Sequence, residues 1–189
     1  SVQIEMTDSC NEKCKHCYNS WQLIDIIKKR LSKDKIDRIV SELKNNNVFH
    51  VTITWGEPLL EKNLTFYAIS KLLDVGISAT MNSNLTLMDA TTAKELEKIW
   101  LKYILSSLIS ANPNTHNIVT QTKNGFEKWL NGVKNIQENT NIALGVNMVL
   151  TQVNKDDVYD TGKFLSQLGV QNFFVTRWSF PAEMHNFWK

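Results

Sequence analysis

The sequence lacks several features that would place it in a specialised class of protein. None of its 189 residues belongs to a run approaching the ~18 consecutive apolar residues of a membrane-spanning helix. No signal peptide is visible, and no block of basic residues indicates a nucleic-acid partner. Hydrophobic residues make up 42% and charged residues 21%, with a net charge of +2, which excludes disordered, collagen-like and coiled-coil chains.

Cysteine is absent after residue 17, and the three that precede it, Cys10, Cys14 and Cys17, are closely spaced. An odd number at this spacing cannot form a disulfide framework, which favours a metal centre in the reducing cytoplasm. Three thiolates can hold an Fe–S cluster with one iron left open to a ligand. The alternative is zinc with His16 as the fourth ligand, although zinc sites usually draw two ligand pairs from two chain segments.

Short apolar runs alternate with segments of helical periodicity. Capping residues such as Asp89 begin the helical segments, and glycines such as Gly76 and Gly169 end them. This order predicts an α/β fold with a parallel sheet and outer helices, either a doubly wound sheet or a partial β/α barrel. The predicted strands are residues 2–6, 49–54, 77–81, 103–107, 143–149 and 171–175, and an extra helix is predicted over 21–31.

The domain organisation follows from the even composition. Because no linker or low-complexity segment interrupts the pattern, we expect residues 1–189 to form one domain. The chain begins without methionine, and we expect it to be a piece of a longer protein.

Polar residues follow the predicted strands at their C-terminal ends, where sites are built in β/α folds. The cysteines follow the first strand, and the sequence Trp-Gly-Glu-Pro at 55–58 follows the second. Later strands end at Asn82, Ser83 and Asn84, at Ser106 and Ser107, at Asn147 and at Arg177. Six polar features on one edge of the sheet predict a single active-site mouth.

The segment 10–18, CNEKCKHCY, resembles the cluster motif of radical S-adenosylmethionine (SAM) enzymes, with His16 in the aromatic position. The resemblance extends over nearly the whole chain, because residues 55–58 resemble the family's Gly-Gly-Glu-Pro and His116 its downstream His-Asp. The detailed pattern is most similar to the branch that modifies peptides or proteins and usually carries a Cys-rich SPASM domain. The resemblance implies a partial (β/α)6, TIM-like barrel.

The resemblance also implies a mechanism. A [4Fe–4S] cluster on the three cysteines would bind SAM, and an electron from flavodoxin or ferredoxin would cleave it to a 5′-deoxyadenosyl radical that takes a hydrogen atom from the substrate. We expect a peptide or protein substrate; the alternative within the family is a small molecule or cofactor precursor. A zinc-binding Cys3His interaction module is the alternative from another class.

The resemblance assigns SAM contacts to specific residues. Glu57 would accept from the SAM ammonium, with the backbone at Gly56 completing the site; the alternative for Glu57 is a surface acid. Ser107 and Asn147 would bind ribose hydroxyls or the SAM carboxylate, or else cap strand ends. His16 and Tyr18 would lie beside the adenine, and Asn82 would contact SAM or serve only as a turn residue.

Two departures from the family pattern carry expectations of their own. Trp55 replaces a glycine, which predicts a strained turn, and we expect its ring to pack away from SAM. Thr120 stands where the family often has an arginine that meets the SAM carboxylate. The residues that could replace that arginine are Gln121, Lys123 and Arg177.

Overall fold

A parallel six-stranded sheet forms the centre of the fold. The computed structural model describes residues 2–17 and 31–177, and the strands lie side by side in chain order. They are β1 (Val2–Glu5), β2 (His50–Thr54), β3 (Ser78–Ser83), β4 (Tyr103–Ser107), β5 (Ala143–Leu150) and β6 (Asn172–Arg177). A doubly wound sheet reverses its strand order at a switch point, whereas this sheet does not. The order confirms the predicted α/β fold and favours the partial (β/α)6 barrel.

Six helices connect the strands within the described residues. They are α1 (Lys33–Asn45), α2 (Lys62–Asp74), α3 (Ala90–Lys98), α4 (Pro113–Thr120), α5 (Gly125–Asn139) and α6 (Val158–Gln167). Short 3₁₀ turns cover Pro58–Glu61 and Lys155–Asp157. None of these helices is long and apolar enough to cross a membrane. Except for Leu31, the extra helix predicted over 21–31 lies outside the described residues.

The helix ends follow the predicted capping chemistry. Ser32 caps α1 by accepting from the Lys35 amide at 3.4 Å, and Asp89 caps α3 by accepting from the Thr92 amide at 2.6 Å. Gly76 and Gly169 follow α2 and α6 with φ of +82° and +78°, a conformation that glycine adopts at little cost. Helix α4 was not predicted as a separate element.

The two faces of the sheet have different roles. In register across β2, β3 and β4, Ile53, Met81 and Ile104 are fully buried in the hydrophobic core shared with the helices. The next residues along those strands, Thr54, Asn82 and Leu105, line a cavity on the other face. Because side chains alternate along a strand, one register places the core on one face and the candidate site on the other.

Candidate active site

A cavity of about 460 Å³ opens at the C-terminal ends of the strands, and every strand or the loop that follows it contributes to its lining. The predicted mouth is therefore a real feature of the fold. The structure brings these predicted site residues to the cavity: Cys10, Cys14, Cys17, His16, Gly56, Asn82, Ser107 and Asn147. Tyr18 lies outside the described residues, and Glu57 does not line the cavity.

The cysteine loop is held by the C-terminal end of α4. The Lys13 amide donates to the Thr120 carbonyl at 3.1 Å, and the Lys15 amide donates to the Val119 carbonyl at 2.9 Å. The Gln121 side chain adds a bond from Nε2 to the Lys13 carbonyl at 2.6 Å. These bonds fix a loop that has no regular secondary structure of its own.

The three cysteines all line the cavity. In residues 2–17 and 31–177, no group of three His, Cys, Asp or Glu side chains is arranged to hold a metal ion. A zinc site needs all its ligands within about 2.3 Å of a single centre, whereas a cuboidal cluster distributes three thiolates over separate irons. Metal analysis therefore separates the two alternatives, because a cluster gives iron with sulfide and a Cys3His site gives one zinc per chain.

Burial changes the pKa values of the ionisable side chains in the cysteine loop. Burial raises the pKa of Cys10 to about 12 and also raises the pKa of Cys14, whose thiol donates to Glu12 Oε2 at 3.3 Å. Burial raises the pKa of Glu12 to about 7. Because iron binds thiolates, loading this loop must release protons. Sequence reasoning missed Glu12, a buried acid that lines the cavity, because its only signal was its place between two cysteines.

Glu57 is buried and hydrogen-bonds the two turns that border the cavity. Only 1% of the residue is exposed, so the surface-acid alternative is wrong. Its Oε1 accepts from the Leu59 amide and the Ser83 hydroxyl, both at 2.9 Å, and its Oε2 accepts from the Asn84 amide at 2.8 Å. Three of about four acceptor positions of the carboxylate are thus used by the protein. The residue joins the turn after β2 to the turn after β3.

Trp55 and Gly56 both have left-handed backbones, with φ of +74° and +58°. The value at Trp55 confirms the predicted strain, because L-residues with a side chain rarely adopt it. Trp55 is among the residues that line the cavity, and the expectation that its ring packs away from SAM stays a prediction. A Cβ on Gly56 would lie 2.2 Å from the Ser9 carbonyl oxygen, so this turn touches the backbone that leads into the cysteine loop.

The asparagines after β3 bind the neighbouring segments. Asn82 Nδ2 donates to the Thr54 hydroxyl at 3.3 Å, while the side chain also lines the cavity. Asn84 Oδ1 accepts from the Thr86 amide at 3.0 Å, and its Nδ2 donates to Asn11 Oδ1 at 2.8 Å. Asn84 is therefore both a turn residue and a contact to the cysteine loop.

Two buried polar atoms on the cavity-lining residues find no hydrogen-bond partner among the described residues: His16 Nδ1 and Asn147 Oδ1. Burial lowers the pKa of His16 to about 4, so its ring is neutral near pH 7. Buried polar atoms of this kind normally have partners, so each of the two can accept a hydrogen bond from a ligand or a water. The hydroxyls of a ribose can supply a hydrogen to Asn147 Oδ1, and SAM therefore fits this donor and acceptor set.

The remaining residues named from the sequence differ in whether they line the cavity or are bound elsewhere in the protein. His116 is buried behind the cavity, where its Nδ1 accepts from the Ile109 amide at 3.3 Å. Thr120 donates its hydroxyl to the His116 carbonyl, and Gln121 is used on the cysteine loop. Of the residues that could replace the missing arginine, Arg177 lines the cavity, whereas Lys123 and Gln121 do not.

Comparison with known proteins establishes the family. The profile of the radical SAM superfamily matches residues 4–165. The chain therefore belongs to the radical SAM superfamily, whose enzymes use a [4Fe–4S] cluster and SAM.

Several sequence relatives have named activities. The Fe-coproporphyrin III synthase of Methanosarcina barkeri is 29% identical over 153 residues, which cover 81% of this chain and 37% of that protein. The probable GTP 3′,8-cyclase of Pyrococcus abyssi is 25% identical over 189 residues, covering 98% of this chain and 59% of that protein. This chain thus spans less than two thirds of either relative.

Solved structures support the fold. Streptococcus suis SuiB bound to its precursor peptide SuiA superposes with a TM-score of 0.78 at 18% identity, over 94% of this chain and 39% of that one. The same protein bound to SAM also gives 0.78, at 18% identity, over 96% and 41%. The likeness shows the partial TIM-like barrel and no more than the fold.

Proposed function

We propose that this chain binds a [4Fe–4S] cluster through Cys10, Cys14 and Cys17, binds SAM at the open iron, and acts on a peptide or protein. The observation that supports this most directly is one cavity that joins the three cysteines to the unsatisfied atoms of His16 and Asn147. When bound, the cluster and SAM supply an electron and a radical that removes a hydrogen atom from the substrate.

The residues of this chain bind SAM and hold it in a fixed position. Asn147 Oδ1 accepts from a ribose hydroxyl, and Ser107, whose hydroxyl makes no bond to a described residue, binds beside it. Backbone carbonyls of the turn at 54–56 receive the SAM ammonium. Glu57 positions that turn through its bonds to the Leu59 and Asn84 amides. Asn82 also lines the cavity and can contact SAM there.

Apolar residues also contribute to the pocket. Leu105, Ile109 and Val149 are among the residues that line the cavity. Such a lining excludes water from a reactive site and strengthens the few polar contacts within it.

The peptide or protein substrate is supported by the sequence of the cysteine loop, with Asn-Glu-Lys between the first two cysteines and His-Cys-Tyr at its end. A second candidate is a small molecule or cofactor precursor. The names of the two sequence relatives, a coproporphyrin synthase and a GTP cyclase, favour it. In either case flavodoxin or ferredoxin would supply the electron.

The source of the abstracted hydrogen distinguishes the two substrates. An extract of cells grown in heavy water is separated by ultrafiltration into macromolecular and small-molecule fractions, and each is added to reconstituted protein with SAM and a reductant. We expect deuterium to enter 5′-deoxyadenosine from the macromolecular fraction. Deuterium transfer from the small-molecule fraction alone would establish the second candidate, and absence of 5′-deoxyadenosine would contradict SAM cleavage itself. Cys14→Ala is the control.

A further inference from the structure

His116 is a buried histidine of α4 whose two ring nitrogens differ in their contacts. Its Nδ1 accepts from the Ile109 amide at 3.3 Å, and burial, followed by the charge on His16, lowers its pKa to about 4. The ring is therefore neutral near pH 7, and because Nδ1 serves as an acceptor, the proton lies on Nε2. Nε2 is fully buried and finds no acceptor among the described residues. His116 thus has one hydrogen-bond donor left to use.

His16 has an unpartnered ring nitrogen of its own. Its Nδ1 is fully buried and has no hydrogen-bond partner within residues 2–17 and 31–177. Its Nε2 makes no hydrogen bond to a described residue and is not fully buried, so it is the nitrogen that can reach a ligand in the cavity. The ring is neutral near pH 7 and carries one proton. The nitrogen that holds this proton decides whether His16 offers the cavity a donor or an acceptor.

The two histidines lie close together. The Lys15 amide donates to the Val119 carbonyl at 2.9 Å, which brings the loop residue His16 to the last turn of α4, and Val119 is three residues after His116. The electrostatic effect of His16 on the pKa of His116 requires the same proximity, because the interaction of two charges falls with distance. The rings do not bond each other directly, since both nitrogens lack a partner. Buried polar groups in this position are commonly joined by a water.

We propose that His116 is a positioning residue for His16 and acts through one buried water. The water accepts from Nε2–H of His116 and donates to Nδ1 of His16. This bond keeps the His16 proton on Nε2, because the hydrogen bond at one ring nitrogen sets which nitrogen is protonated. His16 therefore presents an N–H donor to the cavity and favours a ligand with an acceptor there, such as a purine ring nitrogen. The link depends on the fold alone, whereas its effect on SAM rests on the proposed function.

Long-range ¹H–¹⁵N NMR of the cluster-free protein near pH 7 shows which nitrogen of each histidine is protonated. The chain has four histidines, so single substitutions assign their signals. We expect His16 and His116 to be protonated on Nε2. His116→Phe removes the donor and should move the His16 signals towards those of a tautomer mixture, whereas His116→Gln keeps an N–H donor and should leave them in place. His50→Gln is the matched control, because the His50 nitrogens are bonded to the hydroxyls of Ser78 and Thr80.

Calorimetry of the anaerobically reconstituted proteins measures the effect on the ligand. We expect His116→Phe to weaken SAM binding about threefold to tenfold, as for the loss of one neutral hydrogen bond, and His116→Gln to stay within about twofold of the wild-type protein. If His116 only packed against Phe126, whose ring centre is 6.0 Å from its own, phenylalanine would be the better replacement and this order would be reversed. Melting temperatures verify that each variant is folded.

The proposal is overturned if the wild-type spectrum, which needs no substitution, shows His16 protonated on Nδ1. It is also overturned if His116→Phe leaves the His16 signals or the SAM affinity unchanged. Failure of the proposed function would look different. In that case the wild-type protein binds no SAM, whereas the spectrum of the cluster-free protein still reports on the link between the two histidines.

Discussion

Trp55 has a backbone conformation that costs a residue with a side chain about 1–2 kcal/mol and costs glycine little. Trp55→Gly and Trp55→Ala both remove the indole and differ in this backbone cost. We expect Trp55→Gly to be more stable than Trp55→Ala by about 1 kcal/mol in urea unfolding, although glycine is normally the less stable of the two. Equal stability would mean that the turn relaxes when the ring is lost.

Gly56 permits the close contact between the turn after β2 and the backbone that leads into the cysteine loop. A Cβ there would lie 2.2 Å from the Ser9 carbonyl oxygen and 2.4 Å from that of Thr7, and neither backbone atom can move freely. We expect Gly56→Ala to cost about 3 kcal/mol or more and to lower the iron bound after reconstitution.

Gly76→Ala is the matched control for this substitution. Gly76 has φ of +82°, but a Cβ there would meet nothing within 4 Å. It should therefore cost about 1 kcal/mol from backbone strain alone and leave iron binding unchanged. A similar cost at both positions would show that the clash at Gly56 is relieved by a local shift.

At the scale of elements, α4 supports the cysteine loop through three hydrogen bonds, one of them from the Gln121 side chain to the Lys13 carbonyl. Gln121→Ala removes that bond, worth about 1 kcal/mol, so the loop should open more often. We expect iodoacetamide to alkylate the cysteines of the cluster-free protein severalfold faster in this variant.

Gln137→Ala provides the comparison for Gln121. Gln137 makes the same kind of bond, from Nε2 to the Leu168 carbonyl at 2.7 Å, at the end of α6. Its loss should leave the alkylation rate unchanged. Equal rates in all three proteins would show that the backbone bonds to Val119 and Thr120 hold the loop without Gln121.

The elements differ in how well the sequence predicts them. Each strand was predicted within two residues of its observed ends, because buried parallel strands are short apolar runs with clear boundaries. Helix α4 was missed, since among its eight residues Ile118 and Val119 are the only large apolar side chains. The sequence did contain a helix-start pattern for α4, the N-cap residue Asn112 followed by Pro113. In the structure Asn112 Oδ1 accepts from the Asn114 amide.

The sequence predicted which residues lie at the cavity better than it predicted what each of them contacts there. The position of residues after strand ends indicates the cavity, as for Ser107 and Asn147. The buried position of Glu57 could not be predicted, because Ser83 and Asn84, which bind its carboxylate, lie 26 and 27 positions away in the chain. Such bonds depend on the pairing of β2 with β3 across a helical crossover, which brings together residues that are distant in the sequence.

For the whole molecule, the buried His116 and the partly buried His16 make stability depend on pH. Burial lowers the pKa of His16 and of His116 from 6.5 to about 4, so both are neutral in the folded protein and bind protons more readily when unfolded. The stability that each contributes is present above pH 6.5 and is lost as pH falls towards 4. The shift at His116 corresponds to a free energy on the order of 3 kcal/mol.

His116→Gln isolates one of these contributions. Its side-chain oxygen can still accept from the Ile109 amide, but it does not titrate. We expect urea unfolding between pH 4 and 7 to give a shallower loss of stability on acidification for His116→Gln than for the wild-type protein. Parallel curves would show that His116 is protonated without cost in the folded state.

The central claim is that the three cysteines hold a [4Fe–4S] cluster whose open iron binds SAM. Electron paramagnetic resonance of the anaerobically reconstituted and reduced protein, with and without SAM, tests it most directly. We predict a [4Fe–4S] signal that SAM perturbs and that Cys10→Ala, Cys14→Ala and Cys17→Ala each abolish, since two thiolates cannot hold the cuboid. A stable complex with one zinc per chain that resists iron loading would contradict the account.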